Sequence, residues 1–436
     1  MNYFIKNASV YTENGFRPLN ILISEGGVRL FPTGSEAALP AGTTPVEASG
    51  KWLLPGFADV HVHFREPGFS YKETIRTGSE AAVRGGYTTV CTMPNVRPAP
   101  SSREGLQAQL DIIRRDAVCH VIPYGAITKE QSGRGTLSDM EELAPDVVAF
   151  SDDGKGVQTP ELMKEAMQRA KSLGKIIVAH CEDERLLTGG PIHDGTYAAQ
   201  HGYKGIPSES EWAQVKRDAA LAEETGCAYH VCHVSTKESV EIIRRAKASG
   251  VDITCETAPH YLTLCDEDLQ EDGRFKMNPP LRSSEDRDAL IRGIQDGTID
   301  MIATDHAPHS REEKSRGLKG SPFGVVGLET AFPVLYSRLV LPGTITIEKL
   351  IDLLALAPRR RFRLPGSLIP DPADGEITCP REGFDVTLID PGETFRIDPE
   401  AFASMGRATP FDGWEVQGRV QMTFVDGTPA FRSENG

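Results

Sequence analysis

Trp52-Leu53-Leu54-Pro55-Gly56-Phe57-Ala58-Asp59-Val60-His61-Val62-His63-Phe64-Arg65-Glu66-Pro67-Gly68 is the most telling stretch of this chain. An apolar run leads into the two histidines, so the segment predicts a buried strand with imidazoles at its C-terminal end. Side chains alternate faces along a strand, which puts Asp59, His61, His63 and Arg65 on one face if the strand runs that far. Two imidazoles on one face can hold a metal ion, with Arg65 at the mouth of the same pocket. Alone, a His-x-His pair is a weak signal. The remainder of the chain strengthens it.

Working outward, short β-rich runs recur at 57–63, 87–93, 120–125, 147–153, 176–181, 229–234, 251–257 and 299–305, eight in all. Between them, stretches such as ETIRTGSEAAVRGG, PELMKEAMQRAKSLG and SEDRDALIRGIQDG carry apolar residues at helical spacing and end in or near Gly, a C-cap signal. Ser235 or Thr236 suits the N-cap of the helix that stops before Gly250. Repeated βα units place the chain in the α/β class and predict a (β/α)8 TIM barrel. An open doubly wound sheet fits the alternation too, but no GxGxxG follows an early strand. The reactive residues decide between them. His61, His63, Asn95, Asp153, His180, His233 and Asp305 all fall at or just past strand C-terminal ends. A barrel gathers those ends on one face, whereas an open sheet spreads them along a row.

The chain ends differ. YFIKNASVYT and NILISEGGVRLF at one end, and DVTLID, TFRI and GRVQMTFVDGTPAFR at the other, predict hairpin-rich β structure. Neither end makes a core alone. Residues 1–54 and 370–436 are therefore expected to form one small β-sandwich domain beside a barrel of residues 55–369, with a helical region at 340–363 between them.

A formal charge of −15 argues against a general nucleic-acid binder, though a metal and an Arg can still attract a small anion. No apolar run reaches membrane-spanning length and the start lacks a basic-then-apolar leader, so a cytoplasmic protein is the expectation. The eight cysteines are scattered without a CxxC pair, which predicts buried, reduced thiols.

Four histidines and two aspartates at strand ends are hard to explain as core filling, because each buried polar group needs a partner. A shared metal pair satisfies His61, His63, Asp153, His180, His233 and Asp305 together. His233 is preferred to His230 because it lies nearer the strand end, and His260 is expected to be a loop or supporting residue. Only one of Asp152 and Asp153 can point inward. Lys155 sits between two glycines past the strand end, so Asp153 is the expected bridge between metals. Nitrogen and carboxylate ligands indicate Zn2+, as one or two ions with two favoured. Asp305 is the expected catalytic residue, binding metal and moving a proton to a leaving nitrogen.

The ordered set HVHFREPG, MPN, FSDDG, AHCED, HVCHVSTKES, KMNPPLR and ATDHAPH resembles the dihydroorotases of the amidohydrolase superfamily. It is similar to their longer class, in which an aspartate replaces the bridging carbamylated lysine. The resemblance implies interconversion of (S)-dihydroorotate and N-carbamoyl-L-aspartate in pyrimidine synthesis. It also implies substrate contacts at His63, Arg65, Asn95, Asn278, His309 and the Phe323–Gly324 backbone. Arg65 and Asn95 suit the substrate carboxylate, since a guanidinium pairs with it bidentately. A homo-oligomer and a complex with aspartate carbamoyltransferase are both left open. The polar segment HAPHSREEKSRGLKGSPFG is either a flap over the site or solvated surface. Rival readings are another cyclic amidase, such as an allantoinase or hydantoinase, and a non-catalytic dihydroorotase-like subunit.

Overall fold

The computed structural model describes residues 2–35, 38–366 and 368–434. Its N-terminal strands Asn2–Thr12, Gly15–Ser24 and Gly27–Pro32 form an antiparallel meander. The first strand changes partner along its length. Residues 2–6 pair with Thr43–Glu47, and Ser9 and Val10 pair with Trp52 and Leu53. A register shift between Ile5 and Ala8 separates the two stretches, and there Asn7 takes a φ of 58° with its N–H given to Asn20 Oδ1. This is how a bulge redirects a strand. Trp52–Pro55 then pairs with Val386–Arg396, which pairs with Glu415–Val425 and through it Thr428–Arg432. Both chain ends thus share one nine-stranded sheet. Ile5, Val10, Ile21, Leu53, Leu388 and Phe424 pack in its core.

The central chain alternates strand and helix. Phe57–Val62, Tyr87–Thr92 and His120–Pro123 pair in parallel. The third strand continues past Tyr124 as Gly125–Ala126, which pairs with Phe150–Ser151. Ile177–Ala179, Tyr229–Val231, Ile253–Thr257 and Met301–Ile302 follow, each parallel to the one before. Beyond the last, His306 bridges back to Val62 and its carbonyl accepts from His63 N at 2.8 Å. The strand order therefore returns to its start. Every expected strand is present, several of them shorter than their apolar runs. Near the ends the backbone bonds to side chains instead of a neighbour: Thr304 N to Asp59 Oδ2, and Asp153 N to Ser151 Oγ.

Helices follow these strands with the capping chemistry their sequences carry. Thr74 caps Ile75–Arg84, Thr159 caps Pro160–Ser172 and Ser283 caps Ser284–Asp296. Thr236 caps Lys237–Ala248, while Ser235 is held by Glu211. Each such cap contributes about 1 kcal/mol. Leu106, Met163, Ile177, Val231 and Leu290 belong to the buried layer between strands and helices, and burying each is worth about 1.5–3 kcal/mol. Val60, Met93, Tyr124, Val178 and Met301 form a separate cluster that Phe362 closes. Consecutive helical turns run from Ile347 to Phe362, a shorter span than 340–363. All eight cysteines are free, seven of them buried. Among the described residues no helix is long and apolar enough to cross a membrane.

Candidate active site

The strand ends bring the six expected ligands together. His61 Nδ1 lies 2.6 Å from Glu256 Oε1, whose other oxygen lies 3.1 Å from His230 Nε2. A carboxylate only accepts, so His61 carries a proton on Nδ1, and the neutral ring then presents a lone pair at Nε2. That Nε2 sits 3.3 Å from Asp153 Oδ1 and 3.5 Å from Asp305 Oδ1. His63 repeats the arrangement. Its Nδ1 is 2.9 Å from Asn95 Oδ1, and its Nε2 is 3.0 Å from Asp305 and 3.4 Å from Asp153. On the far side of Asp153, His180 Nδ1 is 2.9 Å from His233 Nε2. His233 and Asp305 hold φ angles of 34° and 48°. Such values cost a non-glycine residue free energy and cluster at functional sites.

Lone pairs aimed at carboxylates repel unless positive charge lies between them. His61 Nε2, Asp153 Oδ1 and His180 Nε2 are buried without a hydrogen-bond partner. The titration tendencies show the same demand. Burial alone would lower the His61 imidazole, but Asp153, Cys232 and Glu256 push it well above its ordinary value. Burial would raise Asp305, and the surrounding histidines bring it down to about 2. Ligand atoms fall into two buried trios, His61 with His63 and Asp305, and Asp153 with His180 and His233, each within 4.8 Å. The donor set fits two borderline divalent cations such as Zn2+. Cys232 is also near His61 and Asp153. Burial pushes its thiol well up, so it stays neutral.

The structure separates the residues that sequence left paired. The Asp152 carboxylate is consumed by Ile127 N, Thr128 N, Gly133 N and Thr128 Oγ1, whereas Asp153 faces the histidines. Lys155 is exposed. His230, the alternative to His233, lies outside the cluster and supports His61 through Glu256. Strand alternation fails here because His233 lies past Val231 in a left-handed conformation. It fails at Asp59 too, where the pairing shifts register between Asp59 and Val62. Asp59 accepts from His61 N and Thr304 N rather than joining the cluster. His260 is buried beside Tyr261 with Nε2 unpartnered, and burial lowers its pKa to about 4.

Beside the cluster is a cavity of about 210 Å³ lined by His63, Arg65, Asn95, Asn278, His309, Phe323 and Gly324, among others. Its hydrogen bonds orient one edge. Lys72 Nζ donates to His309 Nδ1 at 3.1 Å, so Nε2 carries the proton it gives to Phe323 O at 2.8 Å. Burial, then Arg65, lowers the His309 pKa to about 2, which keeps it neutral. Arg65 Nη2, 3.4 Å from the same Nε2, therefore faces another donor. Its Nε is spent on Pro308 O, and the guanidinium's outer edge is left for an acceptor in the cavity. Asn95, with its oxygen given to His63, has its N–H2 similarly free.

Asn278 Nδ2 donates to Glu182 Oε1 at 3.1 Å, and Glu182 lies 3.6 Å from His180 Nε2. Gly324 N donates to Lys276 O, so of the Phe323–Gly324 pair this amide is already used. Gly324 has a φ of 129°, and a Cβ there would lie 2.7 Å from Ala307 O. An adjoining hollow of about 520 Å³ carries Lys204, Lys276 and Lys319 on its wall. The segment after Asp305 is not wholly solvated. Lys314 is buried and donates to Lys276 O, Pro322 O and Gly324 O at 2.7–3.0 Å. Glu256 and Glu182 went unremarked in the sequence, although Glu256 sits in the CETAPH stretch closing an expected strand.

The dihydro-orotase-like family matches residues 50–239. The chain is 48% identical to a dihydroorotase of Brevibacillus brevis over 438 residues, 99% of this chain and 100% of that one. It is 47% identical to a dihydroorotase of Fusobacterium nucleatum over 428 residues, 98% of each. Among solved structures it is similar to an L-hydantoinase (dihydropyrimidinase) from Arthrobacter aurescens, with a TM-score of 0.83 at 25% identity over 98% of this chain and 95% of the other. A D-hydantoinase from Thermus sp. gives 0.79, also at 25% identity, over 99% and 95%. Near-half identity along the full length outweighs a fold shared at a quarter identity. The chain belongs to the dihydroorotase family.

Proposed function

We propose that this protein is a zinc-dependent dihydroorotase, interconverting (S)-dihydroorotate and N-carbamoyl-L-aspartate in pyrimidine synthesis. The carrying observation is the unspent Arg65 edge beside Asn95, in a cavity that abuts the paired His and Asp cluster. A dihydroorotate carboxylate satisfies both groups, while an uncharged hydantoin leaves the outer edge of a buried guanidinium without an anionic partner. In this reading the eight parallel strands close as a (β/α)8 barrel over residues 55–369. Residues 1–54 and 370–436 form the β-sandwich domain, its sheet folded around the core of Ile5, Val10, Ile21, Leu53, Leu388 and Phe424.

His61, His63 and Asp305 would hold one Zn2+ and Asp153, His180 and His233 the other, with the Asp153 carboxylate supplying the anionic charge expected between them. Bound there, the metals would supply Lewis acidity and a water acidified enough to act near neutral pH. The remaining chemistry belongs to side chains. Arg65 and Asn95 fix the carboxylate and so place the ring amide against the cluster. His309 stays neutral and, with Asn278 and the Phe323 amide, lines the face away from it. Asp305 carries the proton to the ring nitrogen as the amide opens, and takes it back in cyclisation.

Turnover measured in both directions tests this reading. Ring opening creates a second carboxylate, so above that acid's pKa the equilibrium shifts toward N-carbamoyl-L-aspartate about tenfold per pH unit. Interconversion in both directions that stops on metal chelation is expected. Ring opening of hydantoin with none of dihydroorotate refutes it.

A further inference from the structure

Besides the catalytic cluster, one other set of side chains among the described residues has the spacing of a metal site. His120 is the first residue of its strand, so it lies at the end of the parallel strands opposite the cluster. Asp385 immediately precedes Val386–Arg396, and Asp426 sits in the turn between Glu415–Val425 and Thr428–Arg432. We propose that His120, Asp385 and Asp426 bind a divalent cation of the zinc or cobalt class, which clasps the parallel strands to the terminal sheet.

Spacing is the first support. His120 Nε2 lies 3.2 Å from Asp385 Oδ2 and 3.7 Å from Asp426 Oδ2, and all three ligand atoms fall within 4.8 Å. Zinc holds such ligands at about 2.0–2.2 Å, which sets neighbouring tetrahedral ligands roughly 3.3 Å apart. The orphaned atoms are the second. The Asp385 side chain is 0% exposed, yet its Oδ2 and His120 Nε2 are buried without a hydrogen-bond partner. They approach each other without the alignment of a hydrogen bond, as His61 Nε2 and Asp153 Oδ1 do at 3.3 Å in the catalytic cluster.

The third is the cradle. Each carboxylate has one oxygen tied to backbone and the other turned to His120. Asp385 Oδ1 accepts from Asp426 N at 2.8 Å, and Asp426 Oδ1 accepts from Gly383 N at 2.7 Å. Gly427 N to Phe384 O and Gly56 N to Asp385 O, both 2.9 Å, lock the two loops to each other and to the start of the first parallel strand. Arg359, the neighbouring cation, gives its hydrogen bonds to Pro365 O, Ala355 O and Thr88 Oγ1 rather than to Asp385, although its charge acts on Asp385 through space. The half-exposed side of Asp426 leaves room for water as a fourth ligand.

The test counts metal. Full-length wild type, His120→Gln and Asp426→Asn are loaded with Zn2+, dialysed, and their metal-to-chain ratios measured alongside dihydroorotate turnover and the unfolding midpoint with and without Zn2+. Asp426→Asn keeps the oxygen that accepts from Gly383, and asparagine tolerates the φ of 50° there, so it remains informative if His120→Gln misfolds. One equivalent fewer in each folded variant, a smaller Zn2+-induced rise in midpoint and unchanged turnover are expected. Equal metal content in all three overturns the proposal and leaves an ion pair. Loss of turnover together with the metal also overturns it, since the missing ion then belongs to the catalytic cluster.

Discussion

Glu256 Oε1 lies 2.6 Å from His61 Nδ1, and this contact sets which nitrogen of His61 faces Asp153 and Asp305. Burial would raise the Glu256 carboxyl, but His61 and His230 bring it down to about 2, so it remains an acceptor. Such outer partners typically contribute 10–100-fold to metal affinity. Glu256→Ala should lose metal to a chelator at concentrations roughly that much lower than wild type, with the fold intact by circular dichroism. Unchanged retention would mean that His61 needs no orientation.

Asp153 and Lys155 are neighbours with opposite surroundings, one buried among four histidines and the other exposed. Asp153→Ala should therefore lose metal and activity, while Lys155→Ala keeps both. Activity that depends on bicarbonate and fails in Lys155→Ala would transfer the bridging role to a modified lysine.

His193 supplies a pH dependence remote from the cluster. Its Nδ1 is 3.2 Å from Arg282 Nη1, a donor, so the ring must be neutral. Burial and then Arg282 lower its pKa to about 4. Between about 4 and about 6.5 the unfolded chain binds a proton that the folded chain does not, so its contribution is full above that window and is lost as pH falls through it. Between about pH 7 and about pH 5 the loss is on the order of 2 kcal/mol. His193→Asn keeps an acceptor for Arg282 without the titration. Denaturant unfolding at both pH values should show a smaller acid loss in the variant, and equal losses would remove His193 from the account.

Local rules carried much of this structure in the sequence. Short β-rich runs located all the parallel strands, and of the two residues suited to cap the helix before Gly250, Thr236 does so. Alternation, however, assumes an unbroken strand. The register shift after Asp59 and the left-handed backbone at His233 and Asp305 are where side-chain direction departed from it. Glu256 and Glu182 escaped notice because their importance lies in contacts with His61 and His180, far off in sequence. The pairing of Trp52–Pro55 with Val386–Arg396 is equally non-local: composition places β structure at both ends, and only the ladder reveals how they join.

The most direct measurement compares kcat/KM for dihydroorotate and for dihydrouracil, the same ring without the carboxylate, in wild type and Arg65→Met. A charge left buried without its partner costs about 2–5 kcal/mol, or roughly 30- to several-thousand-fold. Wild type should prefer dihydroorotate by a factor in that range, and Arg65→Met should abolish the preference while retaining metal. Equal turnover of both rings by wild type, or an undiminished preference in Arg65→Met, would contradict the assignment of this pocket to dihydroorotate.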